Sequence, residues 1–560
     1  MRDMRMFNII LSFIMIGLLD STVAENLSYA PPQSDAIKRW QDMRFGMFIH
    51  WGPVSLTGHE IGWARGSQTP AEEYDNLYKK FNPEKFNAEE WVKVAKDAGM
   101  KYMVLTTKHH DGFCLWDTKQ TDYNIMNSPF KRDVVKELSE ACKKQGIAFG
   151  AYYSTCDWYH PDFPLTSPGG KTKREKSDLD SYNRYLLAQI KELITNYGPL
   201  ITIWNDVPQM FKGRGTNTIN MVRALQPDIL INNRTGDGGD YDTPEQKIGG
   251  FQMNRPWETC MTICRQWAWK PDDTMKTLKE CMQTLVRTAG GDGNLLFNVG
   301  PTAEGIIEQR QVERLKEMGQ WLEKYGQSIY CTRGGPFKPA AWGVSTRKDK
   351  QIFVHVFSWP EEGTLELPSI PAKILSAKTL TGGTVDFKQD DKGIFLNVPA
   401  SCRDEIDTLV VLDLEVSAMG LEPVNAGSTS LSITFGGKAK ASNVYQKNDA
   451  YGPGKAIDDD DHSRWATDGG TKQAWLEVDM GTPKEFSKVL IKEWVDDKGS
   501  RSKSFELQYK AGEEWKTILK GDKIGKNFRK AFPGVTAQVV RVNILEASEG
   551  PTIEEFQLMR

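Results

Sequence analysis

Between residues 30 and 345, short apolar runs alternate with amphipathic stretches, and this alternation limits the fold more than any other feature. The runs are FGMFIHWG (45–52), KYMVLTT (101–107), AFGAYYS (148–154), LITIWND (200–206), DILINNR (228–234) and NLLFNVG (294–300). Between them lie segments such as AEEWVKVAKDAG (88–99) and SDLDSYNRYLLAQIKELITNYG (177–198), which end in glycine as helix C-termini often do. Strands that are apolar throughout, each followed by a helix, are expected to form a parallel sheet with both faces covered. Six such units favour an α/β barrel of the (β/α)8 kind over an open sheet.

The pattern changes near residue 346. QIFVHVFSW (351–359), GTLELPS (363–369) and GIFLNVPA (393–400) read as short strands joined by turns, giving a small antiparallel β-sandwich over 346–416. A linker follows in AMGLEPVNAGSTS (418–430), and an aromatic-rich β jelly-roll is expected over 428–560. The 71 basic and 74 acidic groups leave a net charge of -3, so no basic field exists to attract nucleic acid. Residues 1–24 combine Arg2 and Arg5, an apolar run and a small-residue site ending at Ala24, the pattern of an export signal. The run is shorter than the ~20 residues a span requires. The mature chain is therefore expected to be exported, periplasmic or secreted, with no membrane span. The eight cysteines show no zinc spacing and are read as free or buried thiols.

In a parallel barrel, chemistry gathers at the carboxyl ends of the strands. The ends here carry His50-Trp51, His109-His110, Tyr152-Tyr153, Trp204-Asn205-Asp206 and Asn232-Asn233-Arg234. Asp206 is the sharpest of these, because a carboxylate at the end of a core strand is costly unless paired. Period-two alternation puts Trp204 and Asp206 on one face. Asp206 is read as a nucleophile or general base, with helix capping as the bland alternative. A metal site is the competing use of the histidines, but no HxH or HExxH spacing supports one. Imidazole, arginine, indole and carboxylate together suit a sugar, whose hydroxyls need donors and acceptors and whose ring needs an apolar platform. Glycoside hydrolysis needs a second carboxyl. Glu245 in DYDTPEQ and Glu258 in RPWETC are the candidates, and spacing does not choose between them.

Taken together, FGMFIHWG, TTKHHDGFCLW, LITIWND, INNR, TPE, WETC and GGDGNLLFNVGPTAEG resemble the α-L-fucosidases of glycoside hydrolase family 29. The resemblance implies a retaining exo-α-L-fucosidase acting on fucosylated oligosaccharides or glycoconjugates, with no cofactor for catalysis. The alternative is a non-catalytic glycan-binding protein that keeps the pocket. By resemblance Asp206 is the nucleophile, Glu245 the preferred acid/base and Glu258 the alternative. His50, Glu60, His109, His110, Tyr153, Trp204 and Arg234 match sugar-binding positions, with Tyr153 preferred over Tyr152 and with Trp51 and Trp116 as candidate wall aromatics. Two adjacent histidines facing one pocket require a twist or bulge at the strand end. KAIDDDDHSRWATD (455–468), AWLEVDMG (474–481) and SKSFELQYKAGEEWKTI (502–518) are similar to a discoidin, or F5/8 type C, domain. Its acidic loop implies a structural calcium near Asp458 and Asp461, since hard oxygen ligands suit that ion.

Overall fold

In the computed structural model, the described residues are 31–32, 35–164, 176–207, 215–360, 363–427, 432–458, 463–495 and 499–559. The export-signal reading of residues 1–24 and the calcium candidate Asp461 lie outside them. Seven parallel strands form the first sheet: β1 Phe45–Ile49, β2 Tyr102–Lys108, β3 Ala148–Ser154, β4 Thr202–Asp206, β5 Leu230–Ile231, β6 Glu258–Thr262 and β7 Asn294–Val299. Their order is β5-β4-β3-β2-β1-β7-β6. Strand β6 is not among the apolar runs of the sequence, because ETCMT offers too little apolar length.

Helices α1 (Ala36–Met43), α2 (Ala71–Asn76), α3 (Ala88–Asp97), α4 (Val134–Gln145), α5 (Leu179–Tyr197), α6 (Gly215–Leu225), α7 (Leu278–Gly290) and α8 (Gln309–Tyr325) accompany the strands. Local chemistry fixes their ends. Asn87, Asp133 and Asp178 cap α3, α4 and α5 by accepting hydrogen bonds from first-turn N–H groups. Thr277 and Glu280 form a reciprocal capping box at α7. Gly146 ends α4 in the left-handed region, at φ 75°.

Each strand is buried on both faces, and alternate residues serve two different cores. One face packs beneath the helices, in a cluster that includes Met47, Leu105, Tyr153, Ile203 and Phe297. The other face converges on Phe48, Tyr102, Val104, Tyr152, Trp204, Leu230, Cys260 and Leu296. Tyr241 joins this second cluster from the segment between β5 and β6. That segment touches both edges of the sheet, through parallel bridges Asn232 to Tyr241, Asp242 to Trp257 and Glu245 to Cys260. Glu245 therefore rides on an irregular length of chain laid between the edge strands.

Antiparallel structure begins at Arg333, earlier than the change of pattern near 346, because the short strand Arg333–Gly334 pairs with Gly343–Lys348. A five-stranded and a three-stranded sheet share a core containing Phe337, Ile352, Leu365, Ile394 and Leu412. A separate β-sheet follows, built around the long strands Ala474–Glu493 and Phe528–Ala547 and packed on Trp465, Phe486 and Phe505. No helix among the described residues is long and apolar enough to cross a membrane. All eight cysteines are free, and six of them are buried.

Asp292 ties the parallel region to the first antiparallel sheet. Its Oδ1 accepts from Arg44 Nη2 at 2.6 Å and from Gly334 N at 3.0 Å, and its carboxylate also meets the Arg333 guanidinium. The side chains of Arg44 and Asp292 are both 0% exposed, so removing the acid strands a fully buried cation. We expect Asp292→Ala to cost about 3–5 kcal/mol in chemical denaturation. Asp292→Asn, which keeps an acceptor, should cost less.

Candidate active site

At the carboxyl ends of the parallel strands lies a cavity of about 140 Å³. Its lining includes His50 after β1, His109 and His110 after β2, Tyr152 of β3, Trp204 and Asp206 of β4, and Arg234 after β5. Glu245 reaches it from the segment between β5 and β6, while Phe48, Trp63, Val207, Cys260 and Trp267 complete the wall. The strand-end residues of the sequence thus meet at one place, with the exceptions given below.

Asp206 is the centre of the contacts. Its Oδ1 accepts from Arg234 Nη1 at 2.7 Å and from Val207 N at 2.9 Å. Its Oδ2 accepts from the Tyr152 hydroxyl at 2.8 Å and lies 3.7 Å from His110 Nε2. Burial works to raise its pKa, but Arg234 and His110, with hydrogen bonds from Arg234 and Tyr152, outweigh it and hold the group below its ordinary value. Asp206 is thereby kept ionised inside an aromatic cavity.

Arg234 also donates from Nη2 to Glu245 Oε2 at 2.8 Å. One guanidinium therefore joins both carboxylates. It is braced by Thr243, whose hydroxyl accepts from Nε and whose carbonyl accepts from Nη2. It also lies over the Trp204 ring, 4.7 Å from the centroid. The two carboxylates differ in access: the Asp206 side chain is 15% exposed and that of Glu245 is 43% exposed.

Adjacent His109 and His110 both reach the cavity because the β2–β3 register is irregular between Thr106 and Lys108, and the strand ends at Lys108. His110 Nδ1 pairs with Ser154 Oγ at 2.7 Å, and His50 Nδ1 with Asn298 Oδ1 at 2.6 Å. The His109 ring stacks on Tyr152 with 7° between planes. Burial lowers His50 to about 3 and His110 to about 4, and takes His109 well below its usual range. The imidazoles are neutral near pH 7, each with one nitrogen able to donate and one able to accept.

Four expectations are corrected. Tyr153 faces the helix side, where its hydroxyl donates to Gln189 Oε1 at 2.8 Å; strand parity gives Tyr152 to the cavity instead. Glu60 does not line the cavity, because its carboxylate is used on the N–H groups of Ile61, Trp267 and Ala268. It holds the loop that brings Trp267 to the wall. Glu258 begins β6, at the amino end of the sheet, and is 1% exposed. Its carboxyl accepts from Trp204 Nε1 at 3.0 Å and from the Tyr102 hydroxyl, away from the Asp206 carboxylate, and burial raises it to about 7. Trp51 and Trp116 belong to the outer core, with indole N–H groups on Thr302 O and Glu192 Oε2.

Sequence reasoning also missed Phe48, Cys260, Val207 and Trp267. The position of Trp267 in the loop after β6 was a usable signal, but β6 itself was not read as a strand. At the calcium candidate Asp458, Oδ1 accepts from the Ser463 hydroxyl and Oδ2 from Lys455 Nζ. Among the described residues no group of three or more His, Cys, Asp or Glu side chains assembles, and the rest of the acidic run, 459–461, lies outside them.

Comparisons with known proteins agree with this geometry. A family model described as F5/8 type C domain matches residues 438–556. The human plasma alpha-L-fucosidase is 31% identical over 378 residues, covering 60% of this chain and 79% of that protein. Alpha-L-fucosidase isoenzyme 1 from Paenibacillus thiaminolyticus superimposes with a TM-score of 0.63 at 34% identity, covering 68% of this chain and 99% of that one. An alpha-L-fucosidase from Bacteroides thetaiotaomicron, trapped as a covalent intermediate with 2-fluoro-fucosyl fluoride, gives a TM-score of 0.64 at 27% identity over 71% of this chain and 100% of its own. A family model described as alpha-L-fucosidase matches residues 21–327, and the chain belongs to the alpha-L-fucosidase family.

Proposed function

We propose that the chain is a retaining exo-α-L-fucosidase that removes terminal α-L-fucose from fucosylated oligosaccharides or glycoconjugates. The observation that carries the reading is the Arg234 guanidinium joining Asp206 and Glu245 inside one small cavity. A pocket closed beneath by Trp204 and the strand ends favours a terminal residue over an internal one. The (β/α)8-like reading of the parallel region is supported by the residue 240–246 segment, which bridges both edge strands. Residues 1–24 are read as an export signal that delivers the enzyme to the periplasm or outside the cell.

In the first step Asp206 attacks the anomeric carbon while Glu245 protonates the departing oxygen. In the second, Glu245 takes a proton from water as the fucosyl ester is hydrolysed. Asp206 suits the first role because it is ionised, anchored and enclosed. Glu245 suits the second because it stands at the more open side, where a leaving group departs and water arrives. The neutral histidines and Tyr152 offer the hydroxyls of the sugar hydrogen bonds without adding charge. The indole of Trp204 and the rings of Phe48 and Trp267 give its apolar parts a surface.

Turnover of an aryl α-L-fucoside tests these roles. Asp206→Gly should lose nearly all activity, and azide should restore it as β-fucosyl azide. Glu245→Ala should be hurt more on substrates with poor leaving groups, with azide giving α-fucosyl azide. Glu258→Ala should lose stability and gain nothing from azide. Full activity in Asp206→Gly defeats the mechanism, and azide rescue of Glu258→Ala moves the acid there.

The acid limb of kcat/KM gives a second check. Arg234 lowers the Asp206 pKa against burial, which raises it. Arg234→Met removes the lowering cation and leaves the burial in place. The acid limb of the variant should therefore move to higher pH, by at least one unit for loss of a directly paired charge (shifts of about 1–3 are usual). An unchanged limb would show that another group controls it.

A further inference from the structure

The residue after Asp206 has a backbone that its side chain resists. Val207 has φ 65°, a left-handed conformation that β-branched residues avoid. The turn has a visible use: the Val207 N–H donates to Asp206 Oδ1 at 2.9 Å, on the same oxygen that Arg234 Nη1 meets at 2.7 Å. With Tyr152 on Oδ2, the carboxylate is held on both oxygens and cannot rotate without losing a bond.

A strained turn persists only where its surroundings hold it. Thr155, the residue after β3, makes the holding contacts. Its N–H continues the strand ladder to Asp206 O at 3.0 Å. Its hydroxyl lies 2.7 Å from Asp206 O and 2.6 Å from Val207 O. A threonine hydroxyl has one hydrogen, so the two carbonyls share it in a three-centre bond. Thr155 is itself anchored, since its own carbonyl accepts from the Tyr182 hydroxyl at 2.7 Å, from helix α5. It is 3% exposed, leaving little water to take over the hydroxyl's part.

We propose that Thr155 is a positioning residue for the nucleophile, clasping the carbonyls of Asp206 and Val207 so that the strained turn keeps the Val207 N–H on the attacking carboxylate. The proposal rests on Asp206 being the nucleophile. Thr155 is not in the cavity wall, so its hydroxyl acts on the carboxylate's aim and not on sugar binding. Loss of the clasp lets Val207 relax towards negative φ and frees the carboxylate to turn.

The test uses Thr155→Val, Thr155→Ser and the double variant Thr155→Val/Val207→Gly in the full-length enzyme, with thermal unfolding followed in each. Thr155→Val should lower kcat roughly 10- to 100-fold, the scale of a small misplacement of a reacting group, with KM changed by less than about threefold. Thr155→Ser, which keeps the hydroxyl, should stay within about threefold of the parent. Glycine adopts positive φ without strain, so the double variant should recover most of the lost kcat. If Thr155→Val does not fold, Thr155→Ala alone and with Val207→Gly makes the same comparison. A parental kcat in the hydroxyl-free variant overturns the proposal, as does a double variant no faster than the single one. Asp206→Gly, run alongside, separates the two failures: if it stays active the nucleophile reading falls and the proposal with it. If it is inactive while Thr155→Val is unimpaired, only the Thr155 proposal falls.

Discussion

The whole site depends on one cation placed between two carboxylates. Bringing Asp206 into an aromatic cavity would be costly alone, because a buried charge without a partner is far less stable than one in water. Arg234 removes that cost, and it does so with every nitrogen engaged: Nε on Thr243, Nη1 on Asp206, and Nη2 on Thr243 O and Glu245. A lysine could neutralise Asp206 but could not present this planar fork to two acids at once. The guanidinium also needs a floor, which the Trp204 ring supplies.

That floor is fixed from below. Trp204 Nε1 donates to Glu258, whose other oxygen takes the Tyr102 hydroxyl, so a buried acid at the amino end of the sheet holds the indole on which the active-site arginine rests. Side chains of β2, β4 and β6, with Arg234 after β5, therefore form a continuous stack, from Tyr102 and Glu258 through Trp204 to Arg234 and Asp206. Packing at the amino end and chemistry at the carboxyl end belong to one column of contacts. Glu258 carries a raised pKa because it is enclosed, which shows that a perturbed carboxyl is no proof of a catalytic one.

The legible part of the sequence was the part that follows from strand chemistry. Apolar runs marked six of the seven parallel strands, and a polar residue on an apolar strand end found Asp206, His50, His109, His110, Trp204 and Arg234. Parity within β4 placed Trp204 and Asp206 together, and the irregular register at Thr106–Lys108 supplied what two adjacent histidines required. The errors arose where composition carries no direction. Tyr152 and Tyr153 are the same residue type, both buried, and only the phase of β3 against its neighbours separates them. Glu60 and Glu258 are acids within three residues of a tryptophan, as a sugar site would want, yet their oxygens are consumed by backbone N–H groups and by the buried Trp204 indole and Tyr102 hydroxyl. Trp51 and Trp116 follow strand ends but turn outward. Which end of β6 bears Glu258, and what a loop acid bonds, are tertiary facts.

The division of charge in the cavity bears on how it works. The cavity-lining donors that surround Asp206 are neutral: burial keeps His50, His109 and His110 uncharged, and Tyr152 holds its proton. Net charge is left to Asp206, Arg234 and Glu245. The ionised Asp206 carboxylate is suited to the cationic sugar of an oxocarbenium-like transition state. In the proposed mechanism, forming the fucosyl ester removes the charge of Asp206 and leaves Arg234 to Glu245 alone. The Arg234 fork touches both acids of the reaction, so the placing of the nucleophile and the placing of its partner depend on the same fixed cation.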